Sequence, residues 1–183
     1  MKISFFIAVF IISISGIYSQ NAVPKFDYRV GSGVSLVGSG DVLLFNFENE
    51  LNYKLNKYFT SSIGIKLGQG LKDYYHPVAN FVQGNCNLYL SPFNNERNLD
   101  IRFGGGLSYY KYNGTTLAKS TIIVNGITVA SYKNEKRSSF GFNMIIEMSY
   151  LISNKFLIGV ELFTQPYFND INSGIMFTGG FRF

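Results

Sequence analysis

Gly174-Ile175-Met176-Phe177-Thr178-Gly179-Gly180-Phe181-Arg182-Phe183 closes the sequence. Ile175, Phe177, Phe181 and Phe183 recur on a two-residue period, with Met176, Thr178, Gly180 and Arg182 between them. That period is a β-strand with one apolar face and one mixed face. A strand that runs to the last residue leaves an open edge unless another strand takes it up. A closed barrel does this by pairing the last strand with the first.

Working outward, seven more segments alternate in the same way. The first, Lys25 to Val37, sets Phe26, Tyr28, Val30, Val34 and Leu36 against Asp27, Arg29, Gly31, Gly33 and Ser35. The second, to Leu55, sets Phe45, Phe47, Leu51, Tyr53 and Leu55 against Asn46, Glu48, Glu50, Asn52 and Lys54. The third, Tyr58 to Gly70, carries Phe59, Ile63, Ile65 and Leu67 on one face; the fourth, Asn80 to Leu90, carries Val82, Cys86, Leu88 and Leu90. The fifth, Leu99 to Tyr112, carries Leu99, Ile101, Phe103, Leu107 and Tyr109. The sixth has the cleanest alternation, Phe140, Phe142, Met144, Ile146, Met148 and Tyr150, and the seventh carries Phe156, Ile158, Val160 and Leu162. The longest connection spans 113–138, and inside it Ile122 to Val129, with a central Asn125-Gly126, predicts a small hairpin with a type I′ turn.

Alternation does not say which face points outward; three features do. About five bulky residues per strand over eight strands exceed what the interior of an eight-stranded barrel holds. The opposite face is Gly, Ser, Asn, Thr and a few charges, which suits a cramped polar lumen better than a soluble surface. The connections after the second and sixth segments are short and those after the third, fifth and seventh are longer, as in outer-membrane barrels. The expected fold is therefore all-β, an eight-stranded antiparallel up-and-down transmembrane β-barrel. Composition agrees: 18 Phe, 13 Tyr and 19 Gly against 4 Pro and 15% charged residues favour strands and tight turns.

The inward face brings Glu48, Glu50, Glu147 and Glu161 into one lumen with Arg29, Lys66, Arg102 and Arg182. Charges in a narrow lumen are tolerable when paired, so a salt-bridge network plugging the barrel is expected. The single His, His76, lies near Asp73 in a Tyr-rich loop with no Ser close to it in sequence, so no enzymatic role is expected. No phosphate loop or metal-ligand cluster is present in the sequence, and no cofactor is expected. Cys86 is the only Cys, which excludes an intrachain disulfide, and it reads as a small hydrophobe against lipid or protein. The net charge of +5 is mild and scattered, which argues against nucleic acid. Lys119, Lys133, Lys136 and Arg137 sit in the longest connection, where contact with anionic lipopolysaccharide phosphates is expected if that loop is external.

Residues 1–19 read as a cleaved secretory signal, with Lys2 before an apolar core and small residues before Gln20. Residues 20–183 form the barrel domain. On this architecture and its terminal aromatic, the chain resembles the small outer-membrane β-barrel family of the OmpA-transmembrane-domain and OmpX kind. It looks especially like the single-barrel porin-family proteins of Bacteroidota. The resemblance implies an outer-membrane location in a Gram-negative cell. It also implies that the barrel-assembly machinery reads the final strand, here through Phe181 and Phe183. The expected role is non-enzymatic, envelope-structural or surface-binding through the loops, with a narrow porin-like channel as the alternative and a lipid A-modifying enzyme as a remote third. Outer-membrane lipid and lipopolysaccharide are the expected surroundings, and a monomer is the expected state.

Overall fold

The computed structural model describes residues 25–38, 42–70, 79–117, 122–124, 127–129, 132–167 and 171–183. In chain order the strands are β1 (Phe26–Val37), β2 (Val42–Lys54), β3 (Phe59–Gly70), β4 (Ala79–Leu90) and β5 (Leu99–Leu117). Then come the short β6 (Ile122–Val124) and β7 (Ile127–Val129), followed by β8 (Tyr132–Leu151), β9 (Phe156–Pro166) and β10 (Ile171–Arg182). All but β6 and β7 form one closed antiparallel barrel of consecutive neighbours, sealed where β1 meets β10. β6 and β7 pair only with each other, which gives the expected hairpin.

Parity decides the rest. Lipid-type side chains face out: Phe140 is 76% and Phe177 65% exposed, whereas Lys66 and Glu147 are each 0% exposed inside. An apolar exterior around a polar interior is the arrangement of a membrane-spanning barrel and the reverse of a soluble one. Cys86 faces outward on the apolar belt.

The seam that the terminal strand predicts is present. Asp27 to Val37 pair with Arg182 to Asn172. The Phe26 amide donates to the Phe183 carbonyl (3.1 Å), and the Phe183 amide donates to that of Phe26 (2.8 Å). A row of rings crosses the seam. Tyr53 lies 4.9 Å from Phe26, Phe26 lies 6.1 Å from Phe183, Phe183 lies 6.1 Å from Phe181, and Phe181 lies 5.3 Å from Phe156. Backbones at the seam approach so closely that a Cβ at Gly33 would collide with the Ile175 carbonyl. Gly33→Val is therefore expected to prevent closure and abolish the folded band of an unheated gel. Gly105→Ala, whose new Cβ would meet nothing nearer than 3.9 Å, should leave that band unchanged.

Two expectations need correction. The connection 113–138 is mostly strand. β5 runs on to Leu117 and β8 begins at Tyr132, and the two pair from Leu99↔Tyr150 to Leu117↔Tyr132. The apolar alternation stops where the ribbon leaves the belt, because both faces are then wet, but pairing continues. The last strand likewise begins at Ile171, before the quoted stretch. Residues 1–19, Asp73, His76, Lys119 and the Asn125-Gly126 turn lie outside the described residues.

Candidate functional site

The inward positions of β2 show how the lumen is layered. From the ribbon end they read Val42, Leu44, Asn46, Glu48, Glu50, Asn52 and Lys54. Apolar residues come first, then an amide, two acids, an amide and a lysine.

At the ribbon end Val37, Val42, Leu44 and Phe81 form a buried apolar cluster, with Tyr112 packed against it. The Phe81 ring lies over Gly68, where any side chain would collide with it. Below the cap is a belt of amides and phenols. Asn143 donates to Asn87 (2.7 Å), Gln165 donates to Asn143 (3.0 Å), and the Tyr167 hydroxyl donates to Gln83. The Tyr167 and Tyr110 rings sit 3.9 Å apart on the lumen side of the intervening β8.

The ionic layer has two parts. Arg102 donates through Nε to Glu147 Oε2 (2.7 Å), through Nη1 to Asn52 Oδ1 (2.7 Å) and through Nη2 to Glu50 Oε2 (3.1 Å). Its guanidinium lies 3.8 Å from the Tyr89 ring centroid, and the Tyr89 hydroxyl donates to Glu50 Oε1 at 2.8 Å. Arg29 donates to Asp27 (2.7 Å) and to the second oxygen of Glu147. Glu147 thus bridges two guanidinium groups. In the second part Lys66 Nζ lies 3.0 Å from Glu48, 3.5 Å from Glu161 and 3.6 Å from the Phe163 ring centroid. Asn85 donates to the other oxygen of Glu48 at 2.9 Å.

Seven of the eight charged residues singled out from sequence meet here, and Arg182 joins none of these pairs. Asp27 belongs with them; its parity on β1 carries the signal. A second buried apolar cluster, Tyr89, Ile145, Phe163 and Met176, packs among the charges. Residues 91–98, at the opposite mouth, fold against the neighbouring 55–58 turn. Asn94 takes φ 77°, a conformation that Asn tolerates. The next residue, Asn95, is 1% exposed and donates to the Asn56 carbonyl (2.8 Å), while its own carbonyl accepts from Lys54 Nζ (3.1 Å).

Outside the barrel, β8 pairs with β9 only from Met144↔Thr164 onward, although it pairs with β5 as far as Tyr132. Gly141 and Asn143 still lie against residues 165–167, but residues 132–140 of β8 present an edge that no described strand covers. At the foot of this ribbon Lys111, Lys136, Arg137, Asn80, Asn113 and Ser138 line a shallow depression of about 430 Å³. It lies just beyond the Tyr109–Phe140 ring pair (5.0 Å) that ends the apolar belt. Lys133 falls within β8, at its ribbon end.

These features define a small eight-stranded antiparallel β-barrel with an apolar exterior, a filled bore and one projecting ribbon. No protein-family model matches the sequence, and no curated protein resembles it in sequence. Among solved structures the fold is similar to neisserial surface protein A, with TM-score 0.66 and 11% identity over 86% of this chain and 97% of that one. It is similar to Ail, the attachment invasion locus protein of Yersinia pestis, with TM-score 0.61 and 12% identity over 88% and 100%. It is also similar to the outer membrane enzyme PagL, with TM-score 0.51 and 10% identity over 82% and 97%. One fold thus serves proteins of different kinds, and a role has to be argued from this chain's own surfaces.

Proposed function

We propose that the chain is a non-enzymatic outer-membrane surface protein whose filled barrel anchors an external β-ribbon. The observation that carries this reading is the register mismatch on β8, paired to Tyr132 on one side and only to Met144 on the other. An uncovered strand edge offers backbone donors and acceptors to an extended segment of a partner, which would add to the sheet as a further strand. The apolar cap and the ionic layer fill the bore, and buried Asn95 and Lys54 narrow its other mouth, which supports an anchor over a channel. The outer-membrane location rests on the outward apolar belt together with the expected signal at residues 1–19. Lys111, Lys136 and Arg137, at the level where the belt ends, suit the phosphates of lipopolysaccharide.

Replacing residues 114–135 by a short turn removes the ribbon and keeps the barrel. Cells displaying the intact chain are expected to retain extended, β-branched peptides from an array, and cells displaying the shortened chain are expected not to. Equal retention by both would sink the ribbon as the binding element.

A further inference from the structure

The lipid-facing belt has one anomaly. Outward Thr164 and Ser173 bond each other, and Ser61 donates to the Tyr53 carbonyl; the remaining outward hydrogen-bonding group within the belt among the described residues, apart from the Cys86 thiol, is Tyr28 and Ser32 on β1 with Asn49 on β2. Asn49 stands midway along the outward row Leu43, Phe45, Phe47, Asn49, Leu51, Tyr53, so its amide meets the middle of the hydrocarbon. Water cannot satisfy it there, and each unsatisfied polar group in the hydrocarbon is costly. The Tyr28 hydroxyl donates to Asn49 Oδ1. Tyr28 thus reaches inward along the belt, toward the level of Val30, instead of out to the headgroups where tyrosines collect. The Asn49 Nδ2 hydrogens find no acceptor among the described residues.

The surface around Asn49 is low. Asn49, Val30 and Gly179 lie side by side on β2, β1 and β10. A Cβ at Gly179 would meet nothing within 4 Å, so this row has a dimple beside the amide. Ser32, exposed, lies in the next row. Small residues around a polar one are what membrane segments use to approach closely and hydrogen-bond across an interface.

We infer that the β2–β1–β10 wall, centred on Asn49, is the contact face of a homodimer within the bilayer. The occupant is a second copy because a carboxamide is complementary to itself. Each Nδ2 donates to the copy's Oδ1, whose second lone pair is left free by Tyr28. A twofold axis along the membrane normal, which keeps both copies in the same orientation, brings Asn49 to Asn49. From sequence a monomer is expected; Asn49 interrupts the apolar face of β2 without adding a charge. The inference needs only that the barrel spans a bilayer, and it stands apart from whatever the ribbon binds.

Singly labelled full-length protein, reconstituted at low density in bilayers, is expected to bleach mainly in two steps. Asn49→Leu should bleach mainly in one while keeping the folded band of an unheated gel. From the strength of an amide hydrogen bond between membrane segments, the dimerisation constant should fall about 5- to 30-fold. Ser32→Cys in a Cys86→Ser background tests the face without touching Asn49: oxidation should cross-link two copies, whereas native Cys86 alone, on another wall, should not. One-step bleaching of the native chain overturns the inference. So does a dimer that survives Asn49→Leu or that fails to cross-link through Ser32→Cys. Loss of ribbon binding with two-step bleaching intact would instead count against the proposed function.

Discussion

Glu147→Gln is expected to cost the barrel about 3–5 kcal/mol, the usual penalty for removing one partner of a buried ion pair. Glu147 is wholly buried and accepts from both Arg29 and Arg102. The amide keeps the shape and removes the charge. Neither guanidinium can discharge by losing a proton. Each keeps one carboxylate, Asp27 for Arg29 and Glu50 for Arg102, so the loss is one uncompensated charge and not two. The new amide NH₂ would also point a donor at a donor. Glu161→Gln should cost less, about 1–3 kcal/mol, because Lys66 retains Glu48 at 3.0 Å. Urea unfolding in micelles, followed by the shift between folded and unfolded bands on an unheated gel, measures both. Equal losses for the two variants would mean that water solvates the layer and that the bore is wetter than its geometry implies.

The second large effect concerns current. The inserted native chain is expected to show no unitary conductance steps in a planar bilayer. Three barriers stand in series: Leu44 and Phe81 at one mouth, the ionic layer in the middle, and Asn95 with Lys54 at the other mouth. Opening one leaves two. Leu44→Gly with Phe81→Gly should therefore stay silent. Adding Arg102→Ser and Glu147→Ser, which remove both members of the central pair, and shortening the 91–98 turn should give steps, provided the gel shift shows a folded barrel. Steps from the native chain would bring the channel reading forward.

The outline of the barrel is legible in the sequence because parity is a strong signal wherever one face meets lipid and the other a polar lumen. Phe140 to Tyr150 shows this most plainly. The same parity also points Leu44, Phe81, Leu157 and Phe163 inward, yet their apolar character makes them easy to skip when an inward face is expected to be polar. Their role follows only from where β2, β4 and β9 stand around the bore. The ion pairs are half legible. Glu48 and Lys66 are direct cross-strand neighbours, as are Arg102 and Glu147, and a correct register would give both. Arg29 and Glu147 are 118 residues apart and meet only across the closed lumen. The ribbon is not legible as strand, because beyond the belt no apolar face marks it and pairing alone holds it.

The seam between β1 and β10 also sets an order of events. Every other strand pairing in the barrel joins consecutive strands and can form as soon as both are available. The seam joins Asp27 to Arg182 and waits for the far end of the chain. Until then two apolar strand edges stand open, and in water they would recruit other copies. Sheet growth along the meander is therefore fast and local, whereas closure is a single late step with the largest loop to bring together. A chain built this way has to be held apart from its siblings during transit, and its slowest kinetic phase should respond to changes at Phe26 and Phe183 more than to changes in any hairpin.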